Sequence, residues 1–495
     1  MRLALVLGVI GKILRIYSVA FIPPLLLATY NAYHEIEGDY SAAIGFAVAA
    51  MATLGCGFLL NLASEKDQNF RRSEALGVVG GAWLVISIFT AIPYVMFGLT
   101  PVDAFFEATS GITATGATIL RDFEHTQSFF LWRSMSQWFG GLGVIALFVV
   151  ILPQLGVAGR QIMFAESSDA TTDIVSPSVR KSARNLWLLY VLLTSAEILI
   201  LFFVGHMGMF DSICHGLTTV SAGGFSTHEH SIAGYNSPTI EWILIAFMII
   251  GGMSFPLLYV GLSRRPLAII KDGEFRFYLG TMLFAAIGVA LVLSKGVPSL
   301  ESLRMGLFQS ASLISSTGFA VADYATDPWP ESARAFLIVA MLIGGCAGSA
   351  AGGPKAIRNL LSLKYMWAEL TRTLHPRGVL PLRHRGKVIP NTALRSILNL
   401  VLCYVLTYLI VALLLVALGS DFVTAFSASL ACVGNIGPGF ESVGPMGSYA
   451  DIGSASKIIL SIGMWMGRLE LVTILALLHP DVLRNLRWHG KFFKN

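Results

Sequence analysis

The sequence predicts an all-α polytopic membrane protein made of four pseudo-symmetric repeats, preceded by two extra transmembrane helices. Of its 495 residues, 55% are apolar and only 13% are charged, whereas a soluble domain carries about a quarter charged residues. Apolar runs that could cross about 30 Å of hydrocarbon recur along the whole chain. Four shorter, more polar segments interrupt these runs at intervals of about a hundred residues.

Ten stretches have the length and hydropathy of membrane spans. Backbone groups in lipid must bond internally, so each span is expected to be helical. Long continuous apolar runs also argue against a β-barrel, whose strands are short and alternating. The first span has no small-residue cleavage site after it, which favours a retained helix over a signal peptide. The predicted spans are residues 13–31, 41–63, 74–98, 128–153, 183–206, 239–262, 276–294, 333–352, 394–418 and 455–478.

The last eight spans form a fourfold pattern of span, half-helix, glycine loop and span. Internal repeats of this kind set the architecture of a chain. The predicted divisions are residues 1–70 for the two extra helices, then 71–160, 161–270, 271–380 and 381–495 for the repeats, with pore loops at 103–118, 211–226, 302–320 and 421–439.

The charge distribution predicts which side of the membrane each segment faces, because cationic residues favour the cytoplasmic side. Segment 354–395 contains nine Lys or Arg residues and one acid, Glu369, whereas segments 31–40, 319–331 and 439–456 contain acids and no Lys or Arg. We expect the basic segment and both termini inside. The basic segment either marks topology alone or also docks an acidic cytosolic partner; positive charge that follows sidedness does not indicate nucleic-acid binding.

The four loops have the composition of an ion-binding backbone. Irregular backbone at membrane depth is tolerated only where it lines a cavity or is packed in protein. On a common axis, the loop carbonyls could replace the hydration shell of a cation, since glycine permits the necessary φ angles. The half-helix C-termini would each add roughly half a negative charge. The alternative is four re-entrant loops that only pack small residues between helices. The loop ends are Ala114, Thr115 and Gly116; Ser221, Ala222 and Gly223; Ser316, Thr317 and Gly318; and Asn435, Ile436 and Gly437.

Glycine-rich motifs extend this pattern over nearly the whole chain. They are Phe139-Gly140-Gly141-Leu142-Gly143-Val144-Ile145, which continues to Ile151-Leu152-Pro153-Gln154-Leu155-Gly156-Val157, and then Gly223-Gly224-Phe225-Ser226-Thr227-His228, Ser316-Thr317-Gly318-Phe319-Ala320, Asn435-Ile436-Gly437-Pro438-Gly439 and Gly467-Arg468-Leu469-Glu470. As a set, these motifs resemble those of Trk-type potassium uptake proteins, the TrkH/TrkG membrane subunits of the Trk/Ktr/HKT superfamily.

The resemblance implies K⁺ uptake across the bacterial inner membrane, with the twelve loop residues above as the selectivity filter. In HKT relatives, serine at the first filter glycine goes with Na⁺ transport, and Gly116 at this position favours K⁺. Ala114 and Ala222 stand where relatives often carry threonine. The fourth motif is the least similar, and Gly434 is the alternative to Gly437 as its filter glycine.

The run from Gly344 to Gly353 is the first of two candidate gates. So many glycines in one helix cost about 1 kcal/mol each relative to alanine, which favours an unwound segment. The resemblance implies that this loop lies across the pore below the filter and gates it. The alternative is a close helix–helix contact through small residues. The gate candidates are Gly344, Gly345, Gly348, Ser349, Gly352 and Gly353.

Arg468 is the second candidate gate, because it lies in the last predicted span. An intramembrane arginine is costly and normally faces protein or water. The resemblance implies that it stands in the pore below the filter as an electrostatic barrier. The alternative is a buried ion pair with Glu470 or Glu197.

The resemblance also implies a homodimer with one pore in each protomer, and a cytosolic TrkA-type ring of nucleotide-binding subunits. The chain has no G-x-G-x-x-G motif in a βαβ unit, so nucleotide is expected only through such a partner, and K⁺ is cargo. The basic segments from Arg264 to Arg276 and 354–395 are candidate docking sites.

The remaining alternatives are a Na⁺-selective or cation-coupled symporter on the same scaffold, and a membrane enzyme, which the absence of H-E-x-x-H and G-x-S-x-G motifs disfavours.

Overall fold

The computed structural model describes residues 1–34, 40–62, 71–150, 179–263, 265–326, 329–376, 378 and 380–484. Six helices in these ranges are long and apolar enough to cross a membrane, and a bent helix pair provides a seventh. Large apolar side chains on these helices face outward: Leu59, Leu192 and Leu413 are 69%, 65% and 66% exposed. Such surfaces are stable in contact with hydrocarbon and not with water. The chain is therefore a multi-pass membrane protein.

The N-terminal pair begins earlier than predicted. The first span covers Leu3–Tyr33, whereas the sequence placed it at residues 13–31. The added turns are stabilised by packing, because Gly11 and Gly57 meet where the first and third helices cross. A short 3-10 turn lies between two helical parts of this span. The elements are α1 (Leu3–Tyr17), the turn Ser18–Phe21, α2 (Ile22–Tyr33) and α3 (Ser41–Leu62).

In each repeat, a long helix packs along a short helix that follows it. The short helices are the half-helices that the sequence predicts. Thr100, Ser299 and Asp421 accept backbone N–H groups at the start of three of them, which stabilises these helix ends. The pairs are α4 (Arg72–Met96) with α5 (Pro101–Ile112), α7 (Val179–Phe203) with α8 (Met209–Val220), α12 (Gly273–Leu293) with α13 (Leu300–Ile314), and α16 (Asn391–Ala417) with α17 (Phe422–Val433).

The second spanning helix of three repeats is broken. The predicted continuous span 239–262 bends by 103° after Gly251, because two glycines are followed by Pro256, which cannot continue a helix. The span 455–478 breaks at Glu470, whose φ is +56°. The helices are α6 (Gln127–Val150) in the first repeat, α9 (Pro238–Gly251) and α10 (Phe255–Ser263) in the second, α14 (Glu331–Ile343) and α15 (Ala356–Leu374) in the third, and α18 (Ser454–Arg468) and α19 (Leu471–Leu477) in the fourth.

In the third repeat, two helices with the predicted unwound run between them replace the single predicted span. The span expected at 333–352 ends at Ile343, where Gly344 has a φ of +74°. Residues 356–374, expected within a basic cytoplasmic segment, form helix α15. Lys355 and Arg358 are only 7% and 9% exposed, so they do not belong to an exposed basic surface.

The described fold also includes two short helices, a hairpin, and the 3-10 turns Ser231–Tyr235, Glu441–Val443 and Tyr449–Asp451. Beyond α15 lies an antiparallel hairpin in which Arg383 pairs with Val388. The elements are α11 (Leu267–Lys271), β1 (Arg383–His384) with β2 (Lys387–Val388), and α20 (Pro480–Arg484). The second half of the first glycine motif, residues 151–157, and Arg264 lie outside the described residues, and the divisions at residues 70, 160, 270 and 380 stay predictions.

Polar contacts connect neighbouring repeats in a closed order. Each joins a second spanning helix to the next half-helix or to the loop beyond it. They are Arg133 Nη1 to Ser226 O at 3.2 Å, Glu241 Oε2 to Arg304 Nε at 2.8 Å, Arg334 Nη1 to Glu441 Oε1 at 3.5 Å, and Lys457 Nζ to Asp103 Oδ1 at 2.5 Å. The fourth repeat therefore lies beside the first.

Candidate functional site

The four half-helices end in the same hydrogen-bonded turn. We count each loop from the second residue after its half-helix. In each loop, the amide of the second residue donates to the carbonyl five residues earlier, at 2.8 Å. This bond continues the backbone pairing past the last helical residue and turns the chain sharply. The bonds run from Thr115 N to Ser110 O, Gly223 N to Thr218 O, Thr317 N to Ser312 O, and Ile436 N to Ala431 O.

Two positive φ angles follow in each loop. The first loop residue is not glycine and has a φ between 47° and 56°, and the third is a glycine with a φ between 77° and 99°. L-residues rarely adopt such angles, so the same strained pair at four places indicates four equivalent backbones. The pairs are Ala114 and Gly116, Ala222 and Gly224, Ser316 and Gly318, and Asn435 and Gly437.

The four loops contact one another around a closed ring. A Cβ atom added to the third residue of any loop would overlap a carbonyl oxygen of the next loop. Only glycine therefore fits at these positions, for steric as well as conformational reasons. The contacts run from Gly116 to Gly223 O, from Gly224 to Thr317 O, from Gly318 to Ile436 O, and from Gly437 back to Thr115 O.

The predicted alignment of the second loop was displaced by one residue. Ser221, predicted as its first residue, is the right-handed C-cap of α8 with a φ of −76°. Gly224, and not Gly223, has the positive φ. A Cβ on Gly223 would instead overlap the side chain of Gln137 from α6. The structural triplet is therefore Ala222, Gly223 and Gly224, and its two glycines differ in backbone angle and surroundings.

In the fourth loop, the structure distinguishes the two candidate glycines. Gly434 is the right-handed C-cap of α17, with a φ of −76°. Gly437 has a φ of +99° and meets Thr115 O. The backbone equivalence thus assigns the third position to Gly437.

The loop hydroxyls brace the turns from behind. Thr113 Oγ1 lies 2.6 Å from Thr115 Oγ1, and Ser315 Oγ lies 2.8 Å from Thr317 Oγ1. The Ser221 hydroxyl donates to Thr218 O at 3.1 Å. These contacts hold the hydroxyls within the turns.

A buried ion pair behind the first loop was not predicted as part of the site. Arg133 and Glu107 are 1% and 0% exposed, and Nε to Oε1 is 2.8 Å. Glu107 also accepts the Ile119 amide at 3.0 Å, and the Arg133 guanidinium lies 4.0 Å from the centre of the Phe225 ring. The pair therefore joins the backbone of the first loop to that of the second.

The glycine-rich run after α14 is unwound and lies against the ring. Gly352 N donates to Ser316 Oγ at 2.6 Å, and a Cβ on Gly352 would lie 2.5 Å from Gly434 O. The run also pairs with the break in the second repeat, since Cys346 N donates to Gly252 O at 2.8 Å. The alternative of a regular helix–helix contact is thereby wrong.

Two buried cationic side chains bind consecutive carbonyls of this run. Arg468 Nη1 donates to Ala350 O at 2.7 Å, and Lys355 Nζ donates to Ala351 O. Glu470 pairs instead with Arg358 at 2.7 Å, which leaves no ion pair between Arg468 and Glu470. Among the described residues, Arg468 Nε and Nη2 meet no acceptor. The sequence singled out Arg468 but missed Lys355, which is hidden in an otherwise basic segment.

A cavity of about 210 Å³ lies on the opposite face of the ring. The third glycine of every loop contributes to its wall, together with side chains such as Arg121, His228 and Tyr449. The ring of carbonyls and glycines therefore separates a cavity from the segment 344–355.

Comparison with protein families gives a match over most of the chain. The family model TrkH, described as a cation transport protein, matches residues 44–481. This family is one of transporters and not of enzymes.

Individual proteins of known name are similar over nearly the full length. The Trk system potassium uptake protein TrkH of Halomonas elongata is 34% identical over 98% of this chain and 100% of its own. TrkH of Escherichia coli strain K12 is 34% identical over 96% and 98%. The crystal structure of the potassium transporter TrkH from Vibrio parahaemolyticus superimposes with a TM-score of 0.86 at 30% identity, covering 97% of this chain and 100% of that one.

Proposed function

The chain belongs to the TrkH family of cation transport proteins, and from this premise we propose that it carries K⁺ into the cell through the ring of four loops. The names of its relatives support K⁺ as the cargo. The observation that carries the proposal is the closed set of contacts between the third glycine of each loop and a carbonyl of the next.

Backbone oxygens suit this task for a physical reason. Carbonyl dipoles can replace the water around an alkali cation without burying a formal negative charge, so the ion enters and also leaves. The C-termini of α5, α8, α13 and α17 all end at the ring, and their partial negative charges favour a cation over an anion. The filter in this proposal consists of residues 114–116, 222–224, 316–318 and 435–437.

The segment 344–355 and Arg468 form the gate in this proposal. An unwound segment in contact with Ser316 and Asn435 obstructs passage below the filter. The charges of Arg468 and Lys355, held at its carbonyls, would raise the energy of a cation there. Movement of this segment away from the axis would open the pathway.

We place the protein in the bacterial inner membrane, with both termini and the segment that follows α15 in the cytoplasm. The positive-inside rule supports this orientation through Arg383, Arg385 and Lys387. Burial, followed by the charge of Arg385, lowers the pKa of His384 to about 4. At cytosolic pH the hairpin therefore owes its positive charge to its arginine and lysine residues.

For assembly, we propose a homodimer and a cytosolic TrkA-type ring that supplies nucleotide control. Arg383, which is exposed on the β1–β2 hairpin, and the region of α11 suit contact with an acidic surface of such a ring, whereas Arg385 already pairs with Asp272. Co-purification with the ring, before and after charge reversal at Arg383, tests this contact. Loss of the complex on reversal would support it, and an unaffected complex would contradict it.

The central experiment is growth of a K⁺-uptake-deficient bacterium on low K⁺. We expect the wild-type chain to restore growth, and Gly116→Ser to fail because the side chain would overlap Gly223 O. Gly98→Ser is the matched control, since Gly98 has a similar φ of +94° but no atom within 4 Å of an added Cβ. Equal growth with both variants would contradict a filter at the ring.

The same scaffold could instead couple cation entry to Na⁺ or protons. Rb⁺ uptake into reconstituted vesicles distinguishes these functions. Uptake that needs neither external Na⁺ nor a proton gradient supports a K⁺ channel, whereas uptake that saturates with Na⁺ supports a symporter.

A further inference from the structure

Gln137 reaches from the first repeat into the loop of the second repeat. Its side chain is fully buried, and both ends of its amide bind this loop. Nε2 donates to Gly223 O at 2.7 Å, and Oε1 accepts from Phe225 N at 3.0 Å. The two bonds bracket Gly224, which has the positive φ of the loop.

The amide of Gln137 lies where other loops carry a side chain of their own. In the first and third loops, the second residue is Thr115 or Thr317, and its hydroxyl bonds to the hydroxyl two residues earlier. The equivalent residue of the second loop is Gly223, which has no side chain. An added Cβ there would overlap Gln137 Cδ. Gln137 thus fills the volume that a threonine occupies elsewhere.

The Gly223 carbonyl is singular among its equivalents. The four corresponding oxygens belong to Thr115, Gly223, Thr317 and Ile436, and each meets a glycine of the neighbouring loop. In the described chain, Gly223 O alone among these four accepts a side-chain hydrogen bond. A carbonyl has two lone pairs, so this bond leaves one available to a cation while it fixes the direction of the C=O group.

A second contact from the same helix steadies the segment that follows. Arg133 lies one turn before Gln137 on α6, donates to Ser226 O at 3.2 Å and covers the Phe225 ring. Both side chains are buried, and the guanidinium is itself held by Glu107. The second loop is therefore anchored by a helix of the preceding repeat.

We propose that Gln137 is a positioning residue for ion selectivity: it replaces the missing threonine of the second loop and fixes the Gly223 carbonyl at a distance suited to K⁺. This inference rests on the proposed function. A carbonyl held by an amide cannot move inward to coordinate a smaller ion without loss of a buried hydrogen bond. Without the donor, the oxygen is free to approach Na⁺ more closely, and discrimination decreases.

The test compares K⁺ and Na⁺ permeation in reconstituted vesicles by reversal potential. Gln137→Glu keeps the size and the acceptor but removes the donor, and Gln137→Met removes both. We expect the K⁺-over-Na⁺ permeability ratio to fall by roughly three- to tenfold in each, which corresponds to about 0.7–1.4 kcal/mol. The double variant Gly223→Thr with Gln137→Ala should recover selectivity relative to Gln137→Ala alone.

The control is Thr194→Val, which removes a hydrogen bond of 3.1 Å from Trp138, the residue after Gln137. Among the described residues, the hydrogen bonds of Thr194 run to Trp138 and Tyr190 and to no loop of the ring. We expect this variant to keep the wild-type ratio. Monodisperse elution in detergent shows which variants are folded. Folded Gln137 variants with an unchanged ratio would overturn the positioning function, as would a double variant no more selective than Gln137→Ala. A wild-type protein that passes no K⁺ would instead overturn the proposed function.

Discussion

Arg468 and Ala350 are joined by a hydrogen bond of 2.7 Å between Nη1 and the carbonyl oxygen. The bond connects the last turn of α18 to the unwound run of the third repeat, two elements that are far apart in sequence. An arginine that is 4% exposed, with two of its three nitrogens unpartnered in the described chain, is costly to keep in a membrane. In the proposed function, Arg468 holds this run closed.

We therefore expect Arg468→Ala to increase K⁺ flux. A unit charge about 10 Å from a passing cation raises its energy by about 1.7 kcal/mol at an effective dielectric constant of about 20. Removal of such a barrier, together with the bond to Ala350, should raise flux roughly tenfold. The measurement is Rb⁺ efflux from vesicles, and Lys355→Met should change it in the same direction.

Arg372→Ala is the matched control for the loss of one arginine. Arg372 lies on the exposed part of α15 and pairs with Glu369 three residues earlier. Its removal should leave flux unchanged. Similar flux from Arg468→Ala and wild type would contradict a barrier at this position.

The alignment of the second loop gives a second prediction. Gly224→Ala should abolish uptake, because the residue has a φ of +77° and an added Cβ overlaps Thr317 O, a backbone atom that cannot move aside. Ser221→Ala should retain most uptake, since Ser221 is a helix cap whose hydroxyl donates to Thr218 O within its own half-helix. Rb⁺ uptake by intact cells, normalised to membrane expression, measures both.

The alignment predicted from sequence alone gives the opposite expectation, with Ser221 inside the filter and Gly224 outside it. Loss of uptake in Ser221→Ala with normal uptake in Gly224→Ala would restore that alignment. Gly98→Ala again serves as the control for strain without overlap.

The half-helices and the ring could be predicted because their determinants are local. Hydroxyl and small residues followed by glycine recur at regular spacing, and the same turn forms at each repeat. The one-residue displacement at Gly223 and Gly224 could not be foreseen in this way. Two adjacent glycines look alike in sequence, and the difference between them depends on Gln137, which is contributed by another repeat.

The breaks in the second spanning helices were predicted only for the third repeat. Ten residues of glycine, alanine and serine with one cysteine make that break evident, whereas Gly251 and Gly252 alone gave a weak signal. Near Glu470 the sequence has no proline and a single glycine, Gly467, within three residues, and the break is stabilised by the ion pair between Glu470 and Arg358. Such tertiary contacts are not visible in local composition.

The buried pair of Glu107 and Arg133 gives a third prediction, on stability. Either single variant, Glu107→Gln or Arg133→Met, leaves an unpaired group in the interior and should cost about 3–5 kcal/mol. The double variant should be less destabilised than the sum of the two, because neither charge remains uncompensated. Unfolding temperatures, measured in detergent in K⁺-containing buffer, rank the variants by stability.

The exposed pair of Arg121 and Asp451 is a suitable comparison. Its side chains are 65% and 76% exposed, so its loss should cost no more than about 1 kcal/mol. Unfolding temperatures that fall equally for Glu107→Gln and Asp451→Asn would argue against a structural function of the buried pair.

Glu274 gives the last prediction, because it binds both the unwound run and the helix that follows it. Its Oε1 accepts Ala347 N at 2.5 Å and Ile357 N at 3.3 Å, so one carboxylate oxygen binds the run itself and the first turn of α15. Hydrogen bonds to a charged group contribute about 1.5–3 kcal/mol each. Glu274→Ala should therefore release the run from α12 and raise basal Rb⁺ flux, whereas Glu274→Gln, which keeps an acceptor oxygen, should raise it less. Glu369→Ala, on α15, controls for the loss of an acid that does not bind the run and should have no effect. If the run is not the gate, its release would not change ion flux. Both Glu274 variants would then conduct like wild type while unfolding at a lower temperature.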